Sequence, residues 1–329
     1  MKYAIITVTK EGQQLANKLY ESLETDPTVI KVDMFHKNVK NTLSLVIDRY
    51  DCILGVMATG IMVRSLCPLL KSKLNDPAVL VVGEDGKHVI SLLSGHMGGA
   101  NNLARKLAGL LGAVPVITTA TDLQRKMGID ELAHHFWLKI TDSILILDLN
   151  KFMAAGSKPD LFLPLKFRFM EIHPQIISSY NIQSWDKSFI RASFPGAGLD
   201  LYPKKLVAGL GSKKGISTDQ VLNALRSALQ DLNLPLERVD VLATGEMKQY
   251  EPGIVNTASH LGLNLEIISL EALKEFTHSE CSTSQLVESK FGVRGVSEPS
   301  ALIAAGKNSH LIRKKTAFNG VTVAIAVTE

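Results

Sequence analysis

Short apolar runs alternate with stretches of helical period through the amino-terminal 134 residues, and this alternation constrains the chain more than any other feature. Residues 3–9, 29–32 and 52–58 are apolar enough for strands. Leu15, Leu19 and Leu23 form one helical stripe between the first two, and 41–50 gives a second helix. Strands of this length separated by helices build a parallel sheet with right-handed crossovers. A helix at 61–70 follows, then strands at 78–82 and 88–93 around Gly83-Glu84-Asp85-Gly86-Lys87. An Asp-Gly turn between apolar runs signals a hairpin, so one antiparallel element is expected in an otherwise parallel sheet.

Ser94-Gly95-His96-Met97-Gly98-Gly99-Ala100-Asn101 links the strand at 88–93 to a helix with Leu103, Leu107, Leu110 and Leu111 at helical spacing. Its three glycines let backbone N–H groups approach a ligand, and the helix that begins there adds partial positive charge, the makings of an anion receptor. Thr59-Gly60, before a helix carrying Arg64, and Thr119-Ala120-Thr121-Asp122, after a strand at 114–118, have the same form. Open α/β sheets bind ligands at the carboxyl ends of their strands, so the three loops are expected to face one crevice.

From 135 to 204 the pattern loosens. Strand-like pieces at 144–147 and 161–165 are mixed with Pro159, Pro164, Pro174, Pro195 and Pro203. Order returns with a strand at 206–210, the loop Gly211-Ser212-Lys213-Lys214-Gly215, and a helix opened by Ser217-Thr218-Asp219. Strands at 239–243 and 265–268 follow, then a helix at Ser300 with Pro299 suited to its first turn, and a closing hairpin through Asn319-Gly320. The expected fold class is therefore α/β in three parts. These are an amino-terminal, mostly parallel open-sheet domain over 1–134, a small mixed connecting domain over 135–204, and a carboxyl-terminal α/β domain over 205–329.

Composition narrows the class of function. A net charge of +4 without a Lys/Arg block fits a small anionic ligand better than nucleic acid. Residues 53–70, the most apolar long window, contain Thr59-Gly60 and Arg64 and make a poor membrane span. Cys52, Cys67 and Cys281 have no metal spacing, and their odd number suits reduced thiols and a cytoplasmic location. Cys52 and Cys67 both read as core packing.

His96, among small neighbours, is free to meet a ligand, and its ordinary pKa suits proton transfer near neutrality. The alternative is a structural loop histidine. Asp122 either orients His96 or caps a helix. Arg64 is either a carboxylate clamp or a surface residue. Ser94 lacks the nucleophile elbow, and the adjacent His134 and His135 diverge and are not a metal pair. The segment Gly209-Leu210-Gly211-Ser212-Lys213-Lys214-Gly215 misses the dinucleotide spacing by one position. A carboxylate held by that loop with Lys213 or Lys214 is the more economical reading, against a plain turn with solvated lysines. Glu298 reads either as a site residue or as a first-turn charge favoured by the helix dipole.

The runs Leu92-Leu93-Ser94-Gly95-His96-Met97-Gly98-Gly99-Ala100-Asn101, Met57-Ala58-Thr59-Gly60-Ile61-Met62-Val63-Arg64, Asp76-Pro77-Ala78-Val79 and Thr118-Thr119-Ala120-Thr121-Asp122 resemble the amino-terminal region of the cobalamin-biosynthesis protein G family. Residues 207–215, Lys248, Glu251 and Gly295-Val296-Ser297-Glu298 resemble its carboxyl-terminal part, which is also similar to the free-standing protein E of the aerobic pathway. The chain departs from this pattern at Ser212, where related chains often carry cysteine.

The resemblance implies a cobalt-precorrin-5A hydrolase of the anaerobic pathway. Water opens the δ-lactone of a cobalt-bearing tetrapyrrole, and the two-carbon bridge leaves as acetaldehyde. No cofactor is implied beyond the cobalt that the corrinoid substrate carries. The residues, not the resemblance, supply the expected mechanism: His96, oriented by Asp122, activates water as the catalytic pair, and N–H groups near Gly98 and Gly99 receive the oxyanion. The substrate is held by Thr59, Gly60, Arg64, Ser94, Gly95, Gly98, Gly99, Asn101, Thr119, Gly211, Lys213, Lys214, Lys248, Ser297 and Glu298. The expected partner is the small corrinoid itself, with hand-over to other enzymes of the pathway. Two other readings stand beside this one, a non-catalytic corrinoid carrier and a nucleotide-dependent oxidoreductase on Rossmann-like domains.

Overall fold

A computed structural model describes residues 1–72, 75–118 and 126–328. The chain divides into two compact units, Met1–Tyr202 and Pro203–Glu329. Among the described residues the first unit carries a six-stranded and a five-stranded sheet, and the second one five-stranded sheet.

The first sheet is built from β1 (Lys2–Thr7), β2 (Lys31–His36), β3 (Cys52–Val56), β4 (Ala78–Val82), β5 (His88–Leu93) and β6 (Val114–Val116), in the order β2-β1-β3-β4-β5-β6. Strands β1 to β4 are parallel, β5 runs antiparallel to β4, and β6 runs with β5. The hairpin at Asp85-Gly86 is therefore present, with Gly86 at φ +66°. Strands β3 and β4 are buried at every position because helices cover both faces. Alternate side chains show it. Tyr3, Ile5, Leu54 and Leu80 pack with Leu19 of α1 (Lys10–Glu24) and Leu103 and Leu107 of α4 (Ala100–Leu111). Ala4, Ile6, Ile53 and Val79 face Leu43 of α2 (Val39–Val46) and Met62 and Leu66 of α3 (Thr59–Leu66).

The same unit continues through α5 (Ile129–His135), β7 (Leu138–Ile140), α6 (Ile144–Ala154), β8 (Asp160–Leu163), α7 (Pro174–Ser179), β9 (Asn181–Ser184), β10 (Ile190–Phe194) and β11 (Ala197–Pro203). These strands form a mixed sheet in the order β7-β11-β10-β8-β9. The run at 144–147, expected to be strand-like, is the first turn of α6. Four apolar residues carry no period of their own, and here the helix they open has Leu149 and Met153 on its buried stripe while Ile144 is 80% exposed. Cys67 also departs from expectation. Cys52 is core, but Cys67 opens a single 3-10 turn after α3 and is exposed.

The second unit contains β12 (Leu206–Ser212), α8 (Thr218–Gln230), β13 (Val241–Gly245), α9 (Pro252–Leu261), β14 (Asn264–Ile268), α10 (Leu270–Glu275), α11 (Gln285–Phe291), α12 (Ser297–Ala305), β15 (Ser309–Phe318) and β16 (Val321–Thr328). Its sheet has the order β14-β13-β12-β16-β15, with β12, β13 and β14 parallel and the closing hairpin antiparallel. Ser217 and Gln220 start α8 with a reciprocal capping box.

Candidate functional site

The loop after β5 is held by its own backbone. Ser94 adopts φ +56°, and its Oγ donates to the Asp76 carbonyl at 2.8 Å. The N–H groups of Gly99, Ala100 and Asn101 donate to the carbonyls of His96, Ser94 and Gly95 at 3.0, 3.1 and 3.1 Å. Asn101, 4% exposed, accepts from Ser91 Oγ at 2.7 Å, and its side chain fills the space a Cβ at Gly95 would need. A Cβ at Gly98 would come within 2.6 Å of that of Ser94. The glycines thus let the chain fold onto itself, and three amides at the start of α4 are spent on loop carbonyls. The expected anion receptor is corrected to that extent, since the Gly99 N–H is not open to an oxyanion.

His96 emerges from this knot with its backbone carbonyl fixed by Gly99. Its Nδ1 lies 3.9 Å from Glu131 Oε2, with the two side chains 20% and 14% exposed. Glu131 comes from α5, which Asn150 holds in place by accepting from Ile129 N at 3.3 Å and donating to buried Asp130 at 3.0 Å. One turn further along α5, the His134 ring packs against Gly99, 3.0 Å from where a Cβ would sit, and stacks on Trp137 at 6.3 Å. His135 turns instead to Phe136 and His173. The adjacent histidines therefore diverge, and no group of metal-binding side chains occurs among the described residues. Thr119 and Asp122 lie outside the described residues. Sequence reading did not single out Glu131 as a neighbour of His96, because only the turn of α5 over the glycine loop brings it there.

Thr59, Gly60 and Arg64 lie elsewhere. At the carboxyl end of β3, Val56 pairs with Val82, which pairs with Val89 near the beginning of β5. Leu93, at the end of β5, pairs with Val79 at the beginning of β4. The loop at 94–101 therefore sits on the opposite edge of the sheet from Thr59, separated by the length of a five-residue strand, about 16 Å. The expectation of three loops on one crevice is overturned by the direction of β5. Of the other two strand ends, that of β6 shares the edge with His96. Arg64 is exposed and folds back toward Gly60.

In the second unit Gly209 lies within β12 as expected, and the strand runs on to Ser212, so Gly211 also belongs to it rather than to the loop. A Cβ at Gly209 would overlap the Ser297 carbonyl and approach Ala301 Cβ to 2.8 Å, so this glycine lets α12 lie on the strand. The next loop does bind a carboxylate, but that carboxylate is the protein's own. Glu251 Oε1 accepts from the N–H groups of Gly215 and Ile216 at 2.7 and 3.1 Å, while Lys248 Nζ stands 3.5 Å from Oε2. The amides a nucleotide phosphate would need are thereby occupied. Lys213 and Lys214 are exposed beside them. Glu298, 1% exposed, accepts from the N–H and Oγ of Ser282 at 2.8 and 2.7 Å and from Lys315 N–H at 3.0 Å. It fastens a loop and β15 to the start of α12. Burial, with the negative charges of Glu298 and Glu280, pushes the neighbouring Cys281 thiol up to about 12, so it stays protonated.

Comparison with known proteins follows this division. The family described as "Cobalamin synthesis G N-terminal" matches residues 41–122, and "Cobalamin synthesis G C-terminus" matches 206–326. The chain is 32% identical to a "Probable cobalt-precorrin-5A hydrolase" of Methanocaldococcus jannaschii over 99% of both chains. It is also 32% identical to the "Cobalt-precorrin-5A hydrolase" of Salmonella typhimurium over 89% of this chain and 86% of that one. The carboxyl-terminal part is similar to "Protein CobE" of Sinorhizobium, 26% identical over 37% of this chain and 79% of that protein. Among solved structures, a putative cobalamin biosynthesis protein G homolog from Sulfolobus solfataricus superposes with a TM-score of 0.64 at 26% identity, covering 100% of this chain and 97% of that one. With a family model matched in each unit and a relative 32% identical aligned over 99% of both chains, the chain belongs to the cobalamin synthesis G family.

Proposed function

We propose that the protein is a cobalt-precorrin-5A hydrolase acting in cobalamin biosynthesis, which converts its substrate and water into cobalt-precorrin-5B and acetaldehyde. The observation that carries this reading is the end-to-end relationship to the hydrolase of Methanocaldococcus jannaschii. The chemistry asks for one group that moves protons near neutral pH, and His96 on the glycine loop supplies it. His96 takes a proton from water as the oxygen attacks the lactone carbonyl. The ring C–O bond breaks, leaving a carboxylate on the macrocycle and a hydroxyl on the bridge carbon. Loss of that hydroxyl proton then forms the aldehyde C=O as the bridge carbon–macrocycle bond breaks. The electron pair enters the conjugated ring, which takes up one proton, and acetaldehyde leaves.

Cobalt enters with the substrate, and no resident cofactor is part of the reading. The three free cysteines fit work in a reducing cytoplasm, and no helix among the described residues is long and apolar enough to cross a membrane. Transfer of the product to the next enzyme of the pathway completes the proposal. Anaerobic incubation with cobalt-precorrin-5A tests it, with acetaldehyde trapped and counted per enzyme. Many equivalents are expected. Tight corrinoid binding without acetaldehyde overturns the reading in favour of a carrier.

A further inference from the structure

We infer that Glu131 is the positioning residue for His96, a role that rests on the hydrolase reading above and that sequence gave to Asp122. Three observations converge on α5. Glu131 Oε2 lies 3.9 Å from His96 Nδ1 with both side chains largely buried, so the carboxylate acts where solvent screens it little. His134, one turn along the same helix, rests against Gly99, so the 131/134 face of α5 is seated on the glycine loop at two points. The helix is itself fixed from behind by Asn150, which bonds Ile129 N and Asp130, and Met127 just before it is held by Ser179 Oγ at 2.9 Å and by the Tyr180 hydroxyl at 3.0 Å.

A carboxylate facing Nδ1 selects the tautomer with its proton on that nitrogen and leaves Nε2 with a lone pair, the form a general base needs. It also stabilises the imidazolium formed when water is deprotonated. The separation of 3.9 Å is long for a hydrogen bond, as catalytic contacts often are before substrate binds. Glu131 touches neither water nor lactone in this scheme. The His96 carbonyl, bound by Gly99 N–H at 3.0 Å, holds the backbone so that the carboxylate sets only the ring.

The test compares wild type, Glu131→Gln, Glu131→Asp and His96→Ala on authentic substrate, with nitrogen NMR of the His96 ring. Glu131→Gln is expected to lower kcat by roughly a hundredfold, the low end of what a positioned general base contributes, with KM changed less than about threefold. Glu131→Asp should recover part of the loss, and the ring nitrogens of His96 should shift in Glu131→Gln at unchanged melting temperature. Wild-type kcat in Glu131→Gln, or a His96 ring signal unaltered by that substitution, overturns the inference. If His96→Ala itself turns over normally, the base assignment falls instead. The NMR arm does not depend on turnover, so the two failures are told apart.

Discussion

The carboxylate of Glu251 receives the N–H of Gly215 at 2.7 Å, so the glycine loop after β12 is closed by a side chain 36 residues further along the chain. The same oxygen takes Ile216 N–H, and Lys248 balances the charge. Loop geometry and the start of α9 are thus set by one buried group, 7% exposed.

Glu251→Ala should therefore cost about 3 kcal/mol, since it strands two amides and leaves Lys248 without its counter-ion. Glu251→Gln keeps an acceptor for the amides and should cost about 1 kcal/mol. Urea unfolding measures both. A loss below about 0.5 kcal/mol for the alanine variant, the level of an ordinary surface change, would show that the loop closes without the carboxylate.

Two glycines should respond in opposite directions to the same substitution. Gly209→Ala drives a methyl into the Ser297 carbonyl and to within 2.8 Å of Ala301 Cβ, so either α12 or β12 must move. A loss of more than about 3 kcal/mol, or failure to accumulate folded protein, is expected from such overpacking against backbone. Gly109, inside α4, has open space where its Cβ would be and no left-handed backbone. Gly109→Ala should stabilise by about 0.5–1 kcal/mol through the helical preference of alanine. Melting temperatures of the two variants decide the point, and a stable Gly209→Ala would contradict the close packing of α12.

Much of this architecture could be read from the chain, because it rests on local signals. Strand and helix periods, the Asp85-Gly86 hairpin, the Ser217 cap and the Asn319-Gly320 turn each declare themselves within a few residues. What failed was long-range geometry. The hairpin is legible in five residues, but the edge that its loop reaches depends on strand order, and an antiparallel β5 delivers that loop to the edge opposite the end of β3. Partners brought together by tertiary packing, Glu131 with His96 and Glu298 with Ser282 and Lys315, have no spacing that announces them. The run at 144–147 failed for a different reason. Four apolar residues fit a strand or the first turn of a helix equally well, and the period that decides lies further on, at Leu149 and Met153.

Stability should depend on pH through His173. Burial lowers its pKa below the usual histidine value, and its Nδ1 is enclosed without a hydrogen-bond partner among the described residues. Proton uptake then favours the unfolded chain, so the His173 contribution is full above about pH 6.5, the unfolded value. It is lost progressively as the pH falls from there through the folded-state pKa. Melting temperature should decline between about pH 7 and pH 5, and His173→Gln should flatten that decline. Identical slopes for the two proteins would remove His173 as a cause.

The opposed edges of the first sheet give a sharper test of where the reaction takes place. Arg64, at the carboxyl end of β3, and His96, at the carboxyl end of β5, are separated by the length of the intervening strands, and Arg64 turns back toward Gly60 of its own helix. A bidentate clamp on a substrate carboxylate loses two charge-assisted hydrogen bonds when its arginine is removed, each worth about 1.5–3 kcal/mol, and KM would rise by more than about a hundredfold. On the proposed assignment of the chemistry to His96, Arg64→Ala should instead change KM by no more than about twofold, within the ±0.5 kcal/mol typical of surface substitutions. His96→Ala should lower kcat at least a hundredfold, as removal of a general base does. The two variants assayed side by side for acetaldehyde release therefore locate the chemistry. A large KM effect at Arg64 together with normal turnover at His96 would move the site to the carboxyl ends of β3 and β4.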